Sequence, residues 1–144
     1  VDLQKINPMK HHSHSPSQTE TFGAQFAKKL HGGKVVGLIG ELGAGKTCFV
    51  KGMAAGLGLD PSLILSPTFT LVNEYEGAPL RLVHVDLYRL EKEEELATLG
   101  LEDYLTPQAV IVIEWANKAP LFWQKNMIKI LFEISDEERI IKIV

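Results

Sequence analysis

Residues Gly40–Thr47 read GELGAGKT, and the seven residues that lead into them, 34–40, read KVVGLIG. The lead-in is short, apolar and rich in β-branched residues, so it reads as a buried strand. Gly40, Gly45, Lys46 and Thr47 match the spacing G-x-x-x-x-G-K-[ST]. Phe49, Val50, Met53, Ala54 and Leu57 then recur along one side of a helix that ends near Gly58. Strand, glycine loop and helix start, in that order, make an anion cradle. Glycine lets the backbone fold back and aim successive N–H groups into one hollow. The helix adds its first N–H groups and the positive end of its dipole. That dipole contributes about 0.3–1 kcal/mol, up to ~2 when partly buried. Useful affinity needs more, so the Lys46 charge, backbone hydrogen bonds and a metal must supply the rest. Thr47 offers a hydroxyl to Mg²⁺, which prefers hard oxygen ligands. The expected ligand is a nucleoside triphosphate with Mg²⁺.

Ser17-Gln18-Thr19-Glu20 has capping-box spacing, and Phe22, Phe26 and Leu30 follow at four-residue steps on one helix face. Residues 1–16 show no periodicity and are expected to form a flexible arm, with residues 17–144 as a single domain. His11, His12 and His14 in that arm are three nearby imidazoles, a metal-binding pattern on composition alone. Beyond the loop helix, SPTFTLVNEYEGAP reads as loop, strand and turn, and LRLVHVD as a second strand hairpinned to the first. EKEEELATLGLEDYL reads as helical, with its acids in the first turn. AVIVIEW is too continuously apolar to be exposed on one face. MIKILFEI and RIIKIV form a final hairpin around residues 135–138. This order implies an α/β fold with a parallel core and antiparallel additions.

Two apolar strands end in an acid, LRLVHVD at Asp86 and AVIVIE at Glu114. A carboxylate on a neighbouring strand tip is how glycine-loop nucleotide proteins reach the metal, and ligands of α/β sheets collect at the carboxyl ends of strands. Asp86 is read as the metal-side acid. Glu114 is either a second metal contact or the group that orients the attacking water. Ser66-Pro67-Thr68 is placed to sense a γ-phosphate as switch loops do, or to be a turn entering a strand. Trp115 is a candidate to cover the nucleotide, to face a partner, or to fill the core. His84 reads as a packed or hydrogen-bonded imidazole rather than a base.

The 144 residues carry a net charge of −3 and no cluster of Lys/Arg, which argues against this chain gripping a nucleic-acid backbone unaided. Hydrophobic residues are 45% and charged residues 23%, ordinary for a globular domain. Cys48 is the only cysteine, so no intrachain disulfide forms. No apolar run reaches the ~20 residues that span a bilayer, and no signal-peptide pattern opens the chain. A cytoplasmic location, with no membrane partner, is expected.

GELGAGKT, SPTFTLVNEY, HVDLYRL, LGLEDYL and VIEWANK occur in the order found in one family. From about Ser17 onward the chain resembles TsaE, the small P-loop ATPase of bacterial tRNA threonylcarbamoyladenosine synthesis. The resemblance implies a three-layer P-loop NTPase-like fold, with a central mostly parallel sheet and antiparallel hairpin additions. It implies ATP and Mg²⁺ as cofactors, and TsaD and TsaB as partners, with tRNA reached only through that complex. It places ATP phosphates on Glu41, Leu42, Gly43, Ala44, Gly45 and Lys46, and Mg²⁺ at Thr47 and Glu114. It makes Asp86 essential for hydrolysis, gives Ser66 and Thr68 a switch-like part, and puts the segment from Gln18 to Thr21 toward the base. Arg139 matches a late basic position of the family, near the nucleotide.

Three other readings compete. A guanine-nucleotide switch is disfavoured because Pro120 stands where N-K-x-D needs its acid, and Leu-Tyr-Arg follows Asp86 instead of D-x-x-G spacing. A small-molecule kinase needs several arginines to clamp two phosphorylated substrates, and only Arg81, Arg89 and Arg139 are present. A docking module with incidental turnover differs from an ATPase only in its rate.

Overall fold

The computed structural model describes residues 9–65, 71–77, 79–92, 94–95 and 100–144. Its centre is KVVGLIG, the strand β2 (Lys34–Gly40), which pairs in parallel with β5 (Ala109–Glu114) on one side and β6 (Ile128–Ser135) on the other. β4 (Arg81–Asp86) continues the parallel set beyond β5. The margins are antiparallel. β3 (Val72–Tyr75) lies against β4, while β7 (Glu138–Ile143) joins β6 and is itself flanked by β1 (Met9–Ser13). The order across the sheet is β1-β7-β6-β2-β5-β4-β3. β5 is buried at all six positions, because it has strands on both sides and packing on both faces. That explains its unbroken apolar run.

Helices α1 (Pro16–Ala27) and α2 (Lys46–Gly56) cover one face. Phe22, Phe26 and Phe49 pack there with Phe132, Val36, Leu38 and Ile130. Phe49 is the hub, edge-on to both Phe22 and Phe132 with centroids 5.9 and 5.5 Å away. The other face carries the short helix α3 (Leu101–Tyr104), a 3₁₀ turn at Ala116–Lys118 and helix α4 (Leu121–Lys125). Leu101, Ala116 and Trp123 pack there against Val83, Val85, Ile111 and Ile113. The three-layer arrangement expected from the sequence is therefore present.

α1 and α2 approach so closely that glycine is required between them. A Cβ on Gly52 would collide with the backbone of Glu20, whose carbonyl carbon and Cα would lie 2.8 and 2.9 Å away. Backbone cannot swing aside as a side chain can. Gly52→Ala is expected to cost about 1–3 kcal/mol as overpacking, a fall in Tm of roughly 3–10 °C in a domain of this size. Thermal melts check this, and an unchanged Tm would mean the helices sit farther apart.

Residues 9–16, part of the stretch expected as a flexible arm, carry an edge strand and the start of α1. Met9–Ser13 is an edge strand in register with Ile143–Arg139. Apolar periodicity could not announce it, because its inward contacts are polar or aromatic. His11 stacks on Phe22 with centroids 4.3 Å apart, and the Ser13 hydroxyl bonds Thr19 Oγ1 at 2.7 Å. The three imidazoles do not converge. His11 faces α1, whereas His12 and His14 face Glu138. Helix α1 also starts earlier than the capping-box spacing suggests. Ser15 is its cap, accepting from Gln18 N–H, and Pro16 occupies the first turn. Of EKEEELATLGLEDYL, residues 94–95 and Leu101–Tyr104 are helical, and residues 93 and 96–99 lie outside the described residues.

Candidate functional site

The glycine loop leaves β2 and turns into α2 through two residues of positive φ, Gly43 (82°) and Gly45 (101°). An L side chain is strained at either place. Ala44 between them is fully buried and fastens the loop to the core, while Leu42 at the tip is 70% exposed. Lys46, the first residue of α2, is 5% exposed. Its ammonium donates to the carbonyls of Gly40 (2.6 Å) and Glu41 (2.8 Å) and lies 4.3 Å from the centre of the Trp115 ring. Burial lowers its pKa, against the opposing pull of Glu114, Asp86 and Glu41.

The acids arrive from the neighbouring strands. Asp86 and Glu114 are direct register partners at the carboxyl ends of β4 and β5. Glu114 is 3% exposed and receives the Thr47 hydroxyl at 3.2 Å on Oε1 and the His84 Nε2 at 2.5 Å on Oε2. Asp86 accepts from the N–H of Tyr88. Leu42, Gly45, Lys46, Thr47, Asp86 and Glu114 line one cavity of about 410 Å³, together with Tyr88, Arg89 and Trp115. Its size suits a small ligand. Trp115 holds φ 58°, ψ 43°, a conformation that costs a bulky residue of order 1–3 kcal/mol. That turn brings the indole back against Lys46 and against the Tyr88 ring, 5.1 Å away.

A second cavity, about 170 Å³, shares Gly43, Gly45 and Cys48 with the first. Ser15, Pro16, Thr19, Gly43, Cys48 and Arg139 are among its walls. Arg139 donates from Nε to the Gly43 carbonyl at 3.3 Å, so the late arginine does reach the loop. Gln18 and Thr21 do not border either cavity on the loop. The Gln18 side chain accepts from His14 N–H, and the Thr21 hydroxyl donates to the Ser17 carbonyl. Thr19, between them, faces Gly45. Ser66 and Thr68 lie outside the described residues. Leu65, just before them, is tied to β3 by the Tyr75 hydroxyl and the Asn73 amide. Sequence reasoning missed Tyr88, Arg89, Thr19 and Cys48 as cavity walls. Only Tyr88 and Arg89 carried a signal, by lying two and three residues beyond the Asp86 strand tip.

Asp86 yields a pH prediction. Burial raises its carboxyl above the usual value; the Tyr88 N–H opposes this, the Glu114 charge reinforces it, and His84 and Lys46 oppose it. The folded chain thus keeps this proton to higher pH than the unfolded one. The associated stability is present below the ordinary carboxylate pKa and is lost as pH rises through the raised value. Near neutral pH an ionised Asp86 is a liability to the nucleotide-free chain. Asp86→Asn is expected to raise Tm by a few degrees at pH 7, with the gain shrinking toward pH 4. Melts across that range check it, and a variant equally stable or less stable at pH 7 contradicts it.

Comparison with known proteins agrees with this geometry. Residues 13–141 match the family model "Threonylcarbamoyl adenosine biosynthesis protein TsaE". A tRNA threonylcarbamoyladenosine biosynthesis protein TsaE of Bacillus subtilis is 41% identical over 112 residues, covering 78% of this chain and 69% of its own. Its namesake from Haemophilus influenzae is 39% identical over 128 residues, covering 85% and 80%. The crystal structure of B. subtilis YdiB superposes with a TM-score of 0.73 at 31% identity, covering 95% of this chain and 84% of that one. With the family model matched over residues 13–141 and relatives about 40% identical over most of its length, the chain belongs to the TsaE family.

Proposed function

We propose that this chain is a Mg²⁺-dependent ATPase subunit that supports threonylcarbamoyl transfer to the tRNA adenosine beside the anticodon, acting with TsaD and TsaB. The observation that carries the proposal is the meeting of Lys46, Thr47, Asp86 and Glu114 around one cavity at the carboxyl ends of β2, β4 and β5.

The residues present suit the groups proposed. Lys46 is a buried cation whose close partners are backbone carbonyls rather than a carboxylate, so it is available to an anion at the loop. Thr47, Asp86 and Glu114 offer an all-oxygen set to a hard divalent cation. Mg²⁺ would be held by these three and would neutralise charge on the phosphates. Glycine-loop N–H groups and Lys46 bind and orient the β- and γ-phosphates. Asp86 or Glu114 orients the attacking water and takes its proton. Trp115 and Tyr88 wall the cavity and exclude bulk water. The nucleoside fits the side bearing Thr19 and Arg139. Ser66 and Thr68 remain proposed as the phosphate-sensing segment.

No helix among the described residues is long and apolar enough to cross a membrane; the cytoplasmic setting is proposed on the tRNA-modification family that the chain matches. The test is ATP turnover by the chain alone and with TsaD, TsaB and substrate tRNA. Turnover is expected to rise at least about 10-fold with the partners, the gain that roughly 1.4 kcal/mol off the barrier gives. An isolated chain that is equally fast would remove the partner role and leave a self-sufficient ATPase.

A further inference from the structure

The nucleotide chemistry leaves His84 without a task, although it is fully buried. It lies on β4 two residues before Asp86, on the face shared with Asp86 and Glu114, opposite Val112 in register. Its Nε2 meets Oε2 of Glu114, while Oε1 of the same carboxylate meets the Thr47 hydroxyl. Its Nδ1 has no partner among the described residues. A ring with one proton carries it on Nε2, where a carboxylate accepts it, and leaves only a lone pair unpaired at Nδ1.

We propose that His84 is a positioning residue: its Nε2–H holds Oε2 of Glu114 so that Oε1 stays turned toward Thr47 and the cavity. The inference rests on the ATP and Mg²⁺ reading above. A glutamate side chain has several rotatable bonds, and a loose one must be ordered each time the metal binds. A partner that fixes it beforehand removes that requirement. Loss of such an outer partner typically lowers metal affinity or activity 10–100-fold.

Side-chain geometry separates this role from mere filling of the core. The amide nitrogen of glutamine lies as far along the side chain as Nε2, so His84→Gln keeps a donor toward Glu114. The amide nitrogen of asparagine lies where Nδ1 does, so His84→Asn loses it. His84→Leu fills the space with no donor. Binding of a fluorescent, non-hydrolysable ATP analogue is measured across a Mg²⁺ series and with the metal chelated, alongside Tm, KM and kcat. His84→Asn and His84→Leu are expected to require about 10–100-fold more Mg²⁺ for the same tightening, and to lose kcat more than they raise KM. Binding without metal stays within about 2-fold of the parent, because a carboxylate adds nothing favourable to a bare triphosphate. His84→Gln recovers most of the Mg²⁺ response.

If Asn and Leu match the parent in Mg²⁺ response and kcat, the role is overturned. It is equally overturned if Gln is as impaired as Asn and all variants simply melt lower, which is what a packing role predicts. Should Leu fail to fold, the contrast between Gln and Asn decides. A parent chain that binds no analogue, or that ignores Mg²⁺, overturns the nucleotide-site reading itself and this assignment with it.

Discussion

Lys46→Ala is expected to weaken ATP binding about 100-fold or more while leaving the Tm of the nucleotide-free chain nearly unchanged. The two halves have separate causes. A hydrogen bond to a charged group contributes about 1.5–3 kcal/mol, and an ammonium at the glycine loop can make two to the β- and γ-phosphates. Losing about 3 kcal/mol is a little over 100-fold in Kd. The same ammonium rests on two loop carbonyls and the Trp115 ring. Those contacts offset the cost of desolvating a cation, so removing all of them together changes stability little. A fluorescent-nucleotide titration and a thermal melt measure both halves. Unchanged affinity would reject the loop as the phosphate site. A large fall in Tm would show that Lys46 is chiefly structural.

Glu114→Gln is expected to cut ATP turnover by about 10²–10⁴-fold, the usual range for a lost proton acceptor, with metal-free nucleotide binding kept within a few-fold. Glutamine preserves the volume, can still accept from His84 through its carbonyl oxygen, and turns its amide N–H toward the Thr47 hydroxyl oxygen. It cannot take a proton from water, and it lacks the charge that a divalent cation seeks. The Mg²⁺ dependence of the residual activity then separates the two roles left open by the sequence. A metal ligand shifts the Mg²⁺ requirement; a water-orienting base lowers kcat at every Mg²⁺ level. Full turnover in Glu114→Gln would sink the reading of Glu114 as either.

Much of this was legible from local pattern. The strand KVVGLIG, the loop and the following helix appear at Lys34–Gly40 and Lys46–Gly56 as read, because β-branched composition and helical periodicity act within a few residues. Both strand-tip acids also fall where apolar runs stop. The edge strand Met9–Ser13 was illegible for a physical reason. A strand whose inward side is imidazole on phenyl and hydroxyl on hydroxyl carries no hydrophobic alternation. Gln18 and Thr21, which the family resemblance puts toward the base, border neither cavity at the loop, whereas Thr19 between them faces Gly45.

The order of residues alone determined that a phosphate cradle exists and which side chains terminate the apolar strands, since both depend on neighbours along the chain. Only the tertiary structure decided that Glu114 is held between Thr47, 67 residues away, and His84, 30 residues away. That pairing follows from strand order. Parallel strands β2, β5 and β4 lie side by side, their carboxyl ends coincide, and adjacent strands run about 4.8 Å apart. No spacing within the sequence encodes which strands become neighbours; burial of two hydrophobic faces against two layers of helices does.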